Sequence, residues 1–199
     1  YSLDAGFASG LFNKIHVSTD DKNIVNAVNN YGCEVDFLRP NFLADDLTPI
    51  MPVLRWVIKK YERQGEVFDS VCCLFPCAPL ITSQDLIDAY ESYERFSQNI
   101  SLLAVGEYRV PIEWAFRMEP NGILKPTERE KQKTRSQDLE ESFFDSGTFA
   151  IFPRDQVVDE DSKKHFKMRG FPLPQHKTID IDNPEDLEFA KIVYQGMHS

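Results

Sequence analysis

Near the end of the chain stands Thr178-Ile179-Asp180-Ile181-Asp182, two carboxylates separated by one apolar residue. The alternation of β-branched and acidic residues predicts a short strand. Residues two apart on a strand face the same way, about 6.5–7 Å apart at Cα. Two like charges so placed repel one another unless a cation lies between them. Mg²⁺ suits such a pair, because it takes few protein carboxylates and fills its shell with water and phosphate oxygens. The alternative is a pair of solvated acids that help to cap the next helix. That helix is announced at once by Asn183-Pro184-Glu185-Asp186: an N-cap Asn, Pro at the first helical position, and acids over the positive helix end.

Three further stretches carry candidate chemistry. In "LFPCAPLIT" (Leu74 to Thr82) an apolar run enters the stiff turn Pro76-x-x-Pro79, where the small residues Cys77 and Ala78 leave room for a flat or bulky ligand. A rigid strand-to-helix connection is the plainer reading. In "LRPNFLADD" Arg39 is the sole basic group, and its fork suits an anion or a pyrimidine carbonyl as well as a surface ion pair. Between Lys125 and Arg135 five basic residues (Lys125, Arg129, Lys131, Lys133, Arg135) face two acids in a chain of net charge −10. Such a local reversal gathers anions, or is simply a solvated loop.

The elements that must position these residues alternate. Lys14 to Ser18, Glu34 to Leu38, Val71 to Phe75, Ile100 to Val105, Gly147 to Phe152 and Ile179 to Asp182 read as strands. Asn23 to Tyr31, Ile50 to Tyr61, Thr82 to about Phe96 and the segment after Asn183 read as helices, and the first dozen residues look like a helix entered partway. Thr82 and Asp85 form a possible capping box. This alternation means an α/β fold with a mostly parallel sheet. From Pro111 to about Phe144 the pattern breaks into an excursion: a hairpin around Pro120-Asn121-Gly122, then a charged arm.

The 199 residues favour one domain with a real core. The acidic net charge argues against a nucleic-acid surface, and no apolar run is long enough to span a membrane. Cys33, Cys72, Cys73 and Cys77 lack zinc spacing and read as reduced core residues of a cytosolic protein. His165 and His176 read as surface residues.

Taken in order, these segments resemble the CMP-sugar-acid cytidylyltransferases, the family of CMP-sialic acid synthetases. The carriers are "SGLFNKIHVSTDDKNIVNAVNNYGCEVDFLRPNFLADD", "LFPCAPLIT", "TRSQDLEESFFDSGTFAIF" and "IDID". Sialic acid synthetases commonly show Gln-Pro-Thr-Ser-Pro-Leu-Arg at the turn, where this chain has Phe75 and Ile81 in place of Gln and Arg. Their Asn-Gly-Ala is here Ser146-Gly147-Thr148. The wording "TRSQDLEE…DSG" is more similar to pseudaminic acid cytidylyltransferases, which serve bacterial flagellin and surface glycosylation.

The resemblance implies a three-layer, Rossmann-like nucleotidyltransferase fold spanning residues 1–199, with the 111–144 arm protruding to form a homodimer. It implies transfer of CMP from CTP to the anomeric hydroxyl of a nine-carbon sugar acid, pseudaminic acid foremost, with release of pyrophosphate. The sialic acid or Kdo version of the reaction, and an inactive nucleotide- or sugar-binding dimer, are the alternatives. Asp180 and Asp182 would be the catalytic, Mg²⁺-binding pair. Arg39, Pro76, Cys77 and Ala78 would line the nucleotide site, while Arg135, Gln137 and Gly147 would meet the sugar acid. A cytoplasmic enzyme without nucleic-acid or membrane partners is expected. The family opens with a strand and a glycine-rich phosphate loop. This sequence starts beyond them, so on the order of 25 residues would be absent ahead of Tyr1.

Overall fold

The computed structural model describes residues 1–96, 100–159 and 167–198. His165 lies outside the described residues. Strands β1 (Ser70–Leu74), β2 (Ser101–Glu107), β5 (Phe143–Pro153) and β6 (Met168–Pro172) form one sheet in the order β1-β5-β2-β6. β2 and β6 pair in parallel, while β5 runs antiparallel to both β1 and β2. Three of the four strands therefore point one way, with β5 threaded between them in reverse.

Strand alternation builds three layers. Cys72, Leu74, Leu102, Ala104, Phe149 and Ile151 face helices α1 (Ser2–Ser9) and α4 (Ser83–Arg95). Cys73, Leu103, Ala150 and Phe152 face the other way, toward α3 (Ile50–Glu62) and the short α5 (Arg154–Val158). The buried cysteines are packing residues: burial pushes the Cys72 and Cys73 thiols up to about 12, and all four cysteines are free. Among the described residues, no helix is long and apolar enough to cross a membrane.

Most helix expectations hold. α2 (Lys22–Asn30) is capped by the Asp21 side chain, and α4 opens on a capping box in which Thr82 and Asp85 exchange hydrogen bonds. The last helix, α6 (Pro184–Met197), has a second capping box between Asn183 and Asp186, with Pro184 at its start. The excursion is also present. Its hairpin pairs β3 (Phe116–Met118) with β4 (Leu124–Pro126) across a turn where Gly122 adopts φ 84°, which a residue with a Cβ adopts only under strain.

Three expected strands are not strands. Lys14 to Ser18, Glu34 to Leu38 and Ile179 to Asp182 make no ladder, and the second of them bends at Phe37. Alternation reports an extended backbone with two unlike faces, whereas a strand also needs a neighbour that continues its hydrogen bonds. The first two segments instead lie beside each other, joined by one backbone bond from Arg39 N–H to Thr19 O at 2.8 Å. Side chains hold the rest. Lys14 pairs with Asp36 at 2.8 Å, the His16 and Phe37 rings lie 4.4 Å apart, and the Tyr61 hydroxyl of α3 bonds both Asp36 and His16. Conversely, β6 was not expected. Its Arg169-Gly170-Phe171-Pro172 lacks strand propensity, and it is tolerated because β6 is an edge of the sheet.

Candidate active site

The turn after β1 and the segment before α6 meet at the carboxyl end of β1. Phe75 leaves the sheet by donating its N–H to Thr148 O at 2.9 Å, and the Pro76–Pro79 turn follows. Cys77 is the contact point. Its carbonyl accepts from Ile181 N–H at 3.1 Å, and its thiol sits beside the Asp180 carboxylate. Burial, then the neighbouring carboxylates of Asp180 and Asp182, push the Cys77 thiol up to about 11. Both aspartates thus act on the same thiol.

On its other side Asp180 abuts Gly147 of β5. Gly147 has φ 63°, and a Cβ built on it would lie 2.3 Å from Asp180 Oδ2. Its N–H is taken by Asp145 Oδ1 at 3.0 Å, which stabilises the stretch of β5 that bulges out of register where it passes Leu103 to Val105 of β2. Glycine is required here twice over, by conformation and by the carboxylate's approach.

The free oxygen is the informative one. Asp180 Oδ1 is buried without a hydrogen-bond partner. A carboxylate oxygen shielded from water and left unpaired is costly unless a cation or donor completes it. Asp182 is exposed, and its N–H is held by Asp186 Oδ2 at 3.0 Å, so the α6 capping box also orients the second acid. Among the described residues no cluster of three or more His, Cys, Asp or Glu could form an all-protein metal cage. Two carboxylates with one unpaired oxygen fit a Mg²⁺ that draws its other ligands from water and phosphate.

The structure therefore brings Asp180, Cys77 and Gly147 into contact, with Asp182 and Pro76 at the rim. Ala78 is fully buried and packs rather than offering surface. The Arg39 guanidinium bonds Ser18 Oγ at 3.1 Å and Ser18 O at 2.5 Å, and no hydrogen bond or ion pair joins it to the two aspartates. Arg135 and Gln137 are exposed on the arm, flanking and within a 3₁₀ turn at Ser136–Asp138. His176 is exposed.

Sequence reasoning missed Lys177. Its ammonium binds both oxygens of Asp85, at 2.8 and 2.7 Å, next to the turn. The partners are 92 positions apart, so no local pattern signals the pair. The only hint was a lone Lys three residues ahead of the acidic couple.

A sheet with helices on both faces and carboxylates at the strand ends is an arrangement common to nucleotide-handling α/β proteins, and similarity to known proteins narrows the class. The cytidylyltransferase family model matches residues 1–198, and the chain belongs to that family. It is 35% identical over 202 residues to the pseudaminic acid cytidylyltransferase of Campylobacter jejuni, spanning 100% of this chain and 85% of that protein. It is 28% identical to the CMP-N,N'-diacetyllegionaminic acid synthase of the same species, over 97% of this chain and 82% of that one. Among solved structures, a CMP:2-keto-3-deoxy-manno-octonic acid synthetase complexed with CTP superposes with a TM-score of 0.63. It covers 99% of this chain and 88% of its own at 13% identity, a likeness of fold alone.

Proposed function

We propose that this enzyme transfers CMP from CTP to the anomeric hydroxyl of a nine-carbon 2-keto sugar acid, pseudaminic acid foremost, and releases pyrophosphate. The observation that carries this reading is the unpaired, buried oxygen of Asp180 at the strand ends. It occurs in a chain whose whole length aligns with a pseudaminic acid cytidylyltransferase. The sugar's anomeric oxygen forms the new bond to the α-phosphorus as the α–β anhydride bond breaks in line. No covalent enzyme intermediate is needed, so the protein's work is positioning and charge neutralisation.

Asp180 and Asp182 would hold Mg²⁺, which when bound would supply neutralisation of phosphate charge and a lowered pKa for the attacking hydroxyl. Gly147 gives the Asp180 carboxylate the room it occupies, with the Cys77 thiol beside it and Oδ1 free. The Pro76–Pro79 turn, with Arg39, would line the nucleotide side, and Arg135 and Gln137 would meet the sugar carboxylate and hydroxyls. The 111–144 arm would pair across a homodimer. Phe116 is 51% and Met118 72% exposed, joined by Ile123 and Leu124, an apolar surface of the kind that partners cover. The reaction would take place in the cytoplasm.

The test is pyrophosphate release with CTP, Mg²⁺ and each sugar acid in turn. Turnover greatest with pseudaminic acid is expected. Preference for sialic acid or Kdo would reassign the substrate, and no turnover with any of them would defeat the reading.

A further inference from the structure

The segment that carries the two aspartates has no strand ladder, so something else must fix it. Downstream, Asp182 N–H and Asn183 N–H bond Asp186 Oδ2 at 3.0 and 3.1 Å, which ties the segment to α6. In the middle, Ile181 N–H reaches Cys77 O. Upstream, one attachment stands out. Lys177 Nζ lies 2.7 and 2.8 Å from the two oxygens of Asp85 and 3.5 Å from Thr82 Oγ1. The side chains are only 14% and 12% exposed.

Asp85 does two jobs. It accepts from Thr82 N–H at 2.7 Å as the capping-box acid of α4, and it neutralises Lys177. All three donor contacts of Lys177 go to this cap, so its charge is met inside the protein rather than offered to a ligand. Thr82 directly follows the Pro76–Pro79 turn, and Lys177 precedes Asp180 by three residues. The pair therefore clasps the two stretches whose contact sets the Asp180 carboxylate. A largely buried ion pair is a weak source of stability, but it is strongly directional and costly to break from one side.

We propose that Lys177 is a positioning residue: through Asp85 it locks the 175–182 segment onto the cap of α4, and so holds Asp180 in its metal-binding orientation. This rests on the proposed role of Asp180 and Asp182. It assigns Lys177 no contact with substrate.

The test uses the full chain and Mn²⁺ as a spectroscopic probe. Mn²⁺ binding is followed by electron paramagnetic resonance with CTP present, beside the Mg²⁺ dependence of pyrophosphate release. For Lys177→Met, Mn²⁺ affinity and the KM for Mg²⁺ should each worsen by about 10-fold or more, as for other residues that orient metal ligands. kcat at saturating Mg²⁺ and the far-ultraviolet circular dichroism should stay near those of the parent. Lys177→Arg should restore most of the affinity. Asp85→Asn, which keeps an acceptor for Thr82, should match Lys177→Met, and the double variant should be no worse than either. If Lys177→Met does not fold, Asp85→Asn is scored on the same measurements.

A folded variant that binds Mn²⁺ like the parent overturns the proposal. So does a loss confined to kcat. If the parent binds Mn²⁺ yet turns over no sugar acid, the assigned reaction fails while the positioning role still stands on the Mn²⁺ data. A parent that binds no Mn²⁺ overturns both.

Discussion

Two regions lie outside the sheet, and they are held differently. The aspartate segment, residues 178–182, is fixed by directional polar bonds: the Cys77 carbonyl, the bonds to Asp186 of the α6 capping box and the nearby Lys177–Asp85 pair. The pair of segments at residues 14–19 and 34–39 adds aromatic packing to polar bonds such as Lys14–Asp36 and Arg39–Ser18, with Phe37 set among His16, Trp56 and Tyr61. Stacked rings hold a backbone in place but specify little about any one polar atom. Hydrogen bonds and ion pairs specify orientation, which a metal-binding carboxylate needs and a packing residue does not.

The sharpest break in this comparison is at the carboxylate. Asp180→Asn keeps the size and most hydrogen bonds but halves the pair's charge. Turnover should fall by about 10²–10³-fold, as when a preorganised electrostatic group is lost, while thermal stability changes little. Steady-state kinetics beside a melting curve checks both. Gly147→Ala should come next. The added methyl meets Asp180 Oδ2 and sits at positive φ. A stability loss of about 1–2 kcal/mol from backbone conformation alone should accompany a raised KM for Mg²⁺, read by urea unfolding and metal titration. If Gly147→Ala loses stability and keeps its metal response, the carboxylate is not held where the structure puts it.

The aromatic region makes a different prediction. Burial, partly opposed by the Asp36 charge and aided by Lys14 and Arg39, lowers His16 from its ordinary 6.5 to about 4. The neutral ring is consistent with its bonds. The Tyr61 hydroxyl donates to Asp36, so His16 Nδ1–H donates to Tyr61 Oη, and Nε2 is left buried and unpartnered. A base whose folded value is depressed takes up its proton more readily when unfolded. Its stabilising contribution is intact above about 6.5 and is lost as pH falls toward about 4. His16→Phe should flatten the fall in unfolding free energy between pH 6.5 and 4 without altering the Mg²⁺ dependence of turnover. A variant with the parent's slope would show that His16 does not titrate against folding.

The smallest effect belongs to Cys77→Ser. A hydroxyl keeps a small polar group beside Asp180, so Mg²⁺ affinity should shift by no more than about 3-fold, below the loss expected for groups that cannot be replaced. Metal titration of the variant checks this.

What the sequence could reveal follows the same divide. Helix caps at Thr82 and Asn183 are local chemistry, and each was legible as a short pattern. The apolar strands were legible because burial on both faces leaves an unbroken run, as in Val71 to Leu74. Asp180 and Asp182 were legible as a pair, and the turn at Cys77 as a turn. Their contact with each other was not, nor was the approach of Gly147, because each joins residues about 30 to 100 positions apart. For the same reason alternation was mistaken for strand at residues 14–18, 34–38 and 179–182. A residue's own neighbours say whether its backbone is extended, but not whether another strand lies alongside.

The central claim is tested most directly by replacing both acids at once. Pyrophosphate release from CTP and pseudaminic acid is measured across a Mg²⁺ titration for the intact enzyme and for Asp180→Asn/Asp182→Asn. The account predicts that the double variant folds, shows no measurable release and gains nothing from added Mg²⁺. Release that persists with the parent's metal dependence would contradict it.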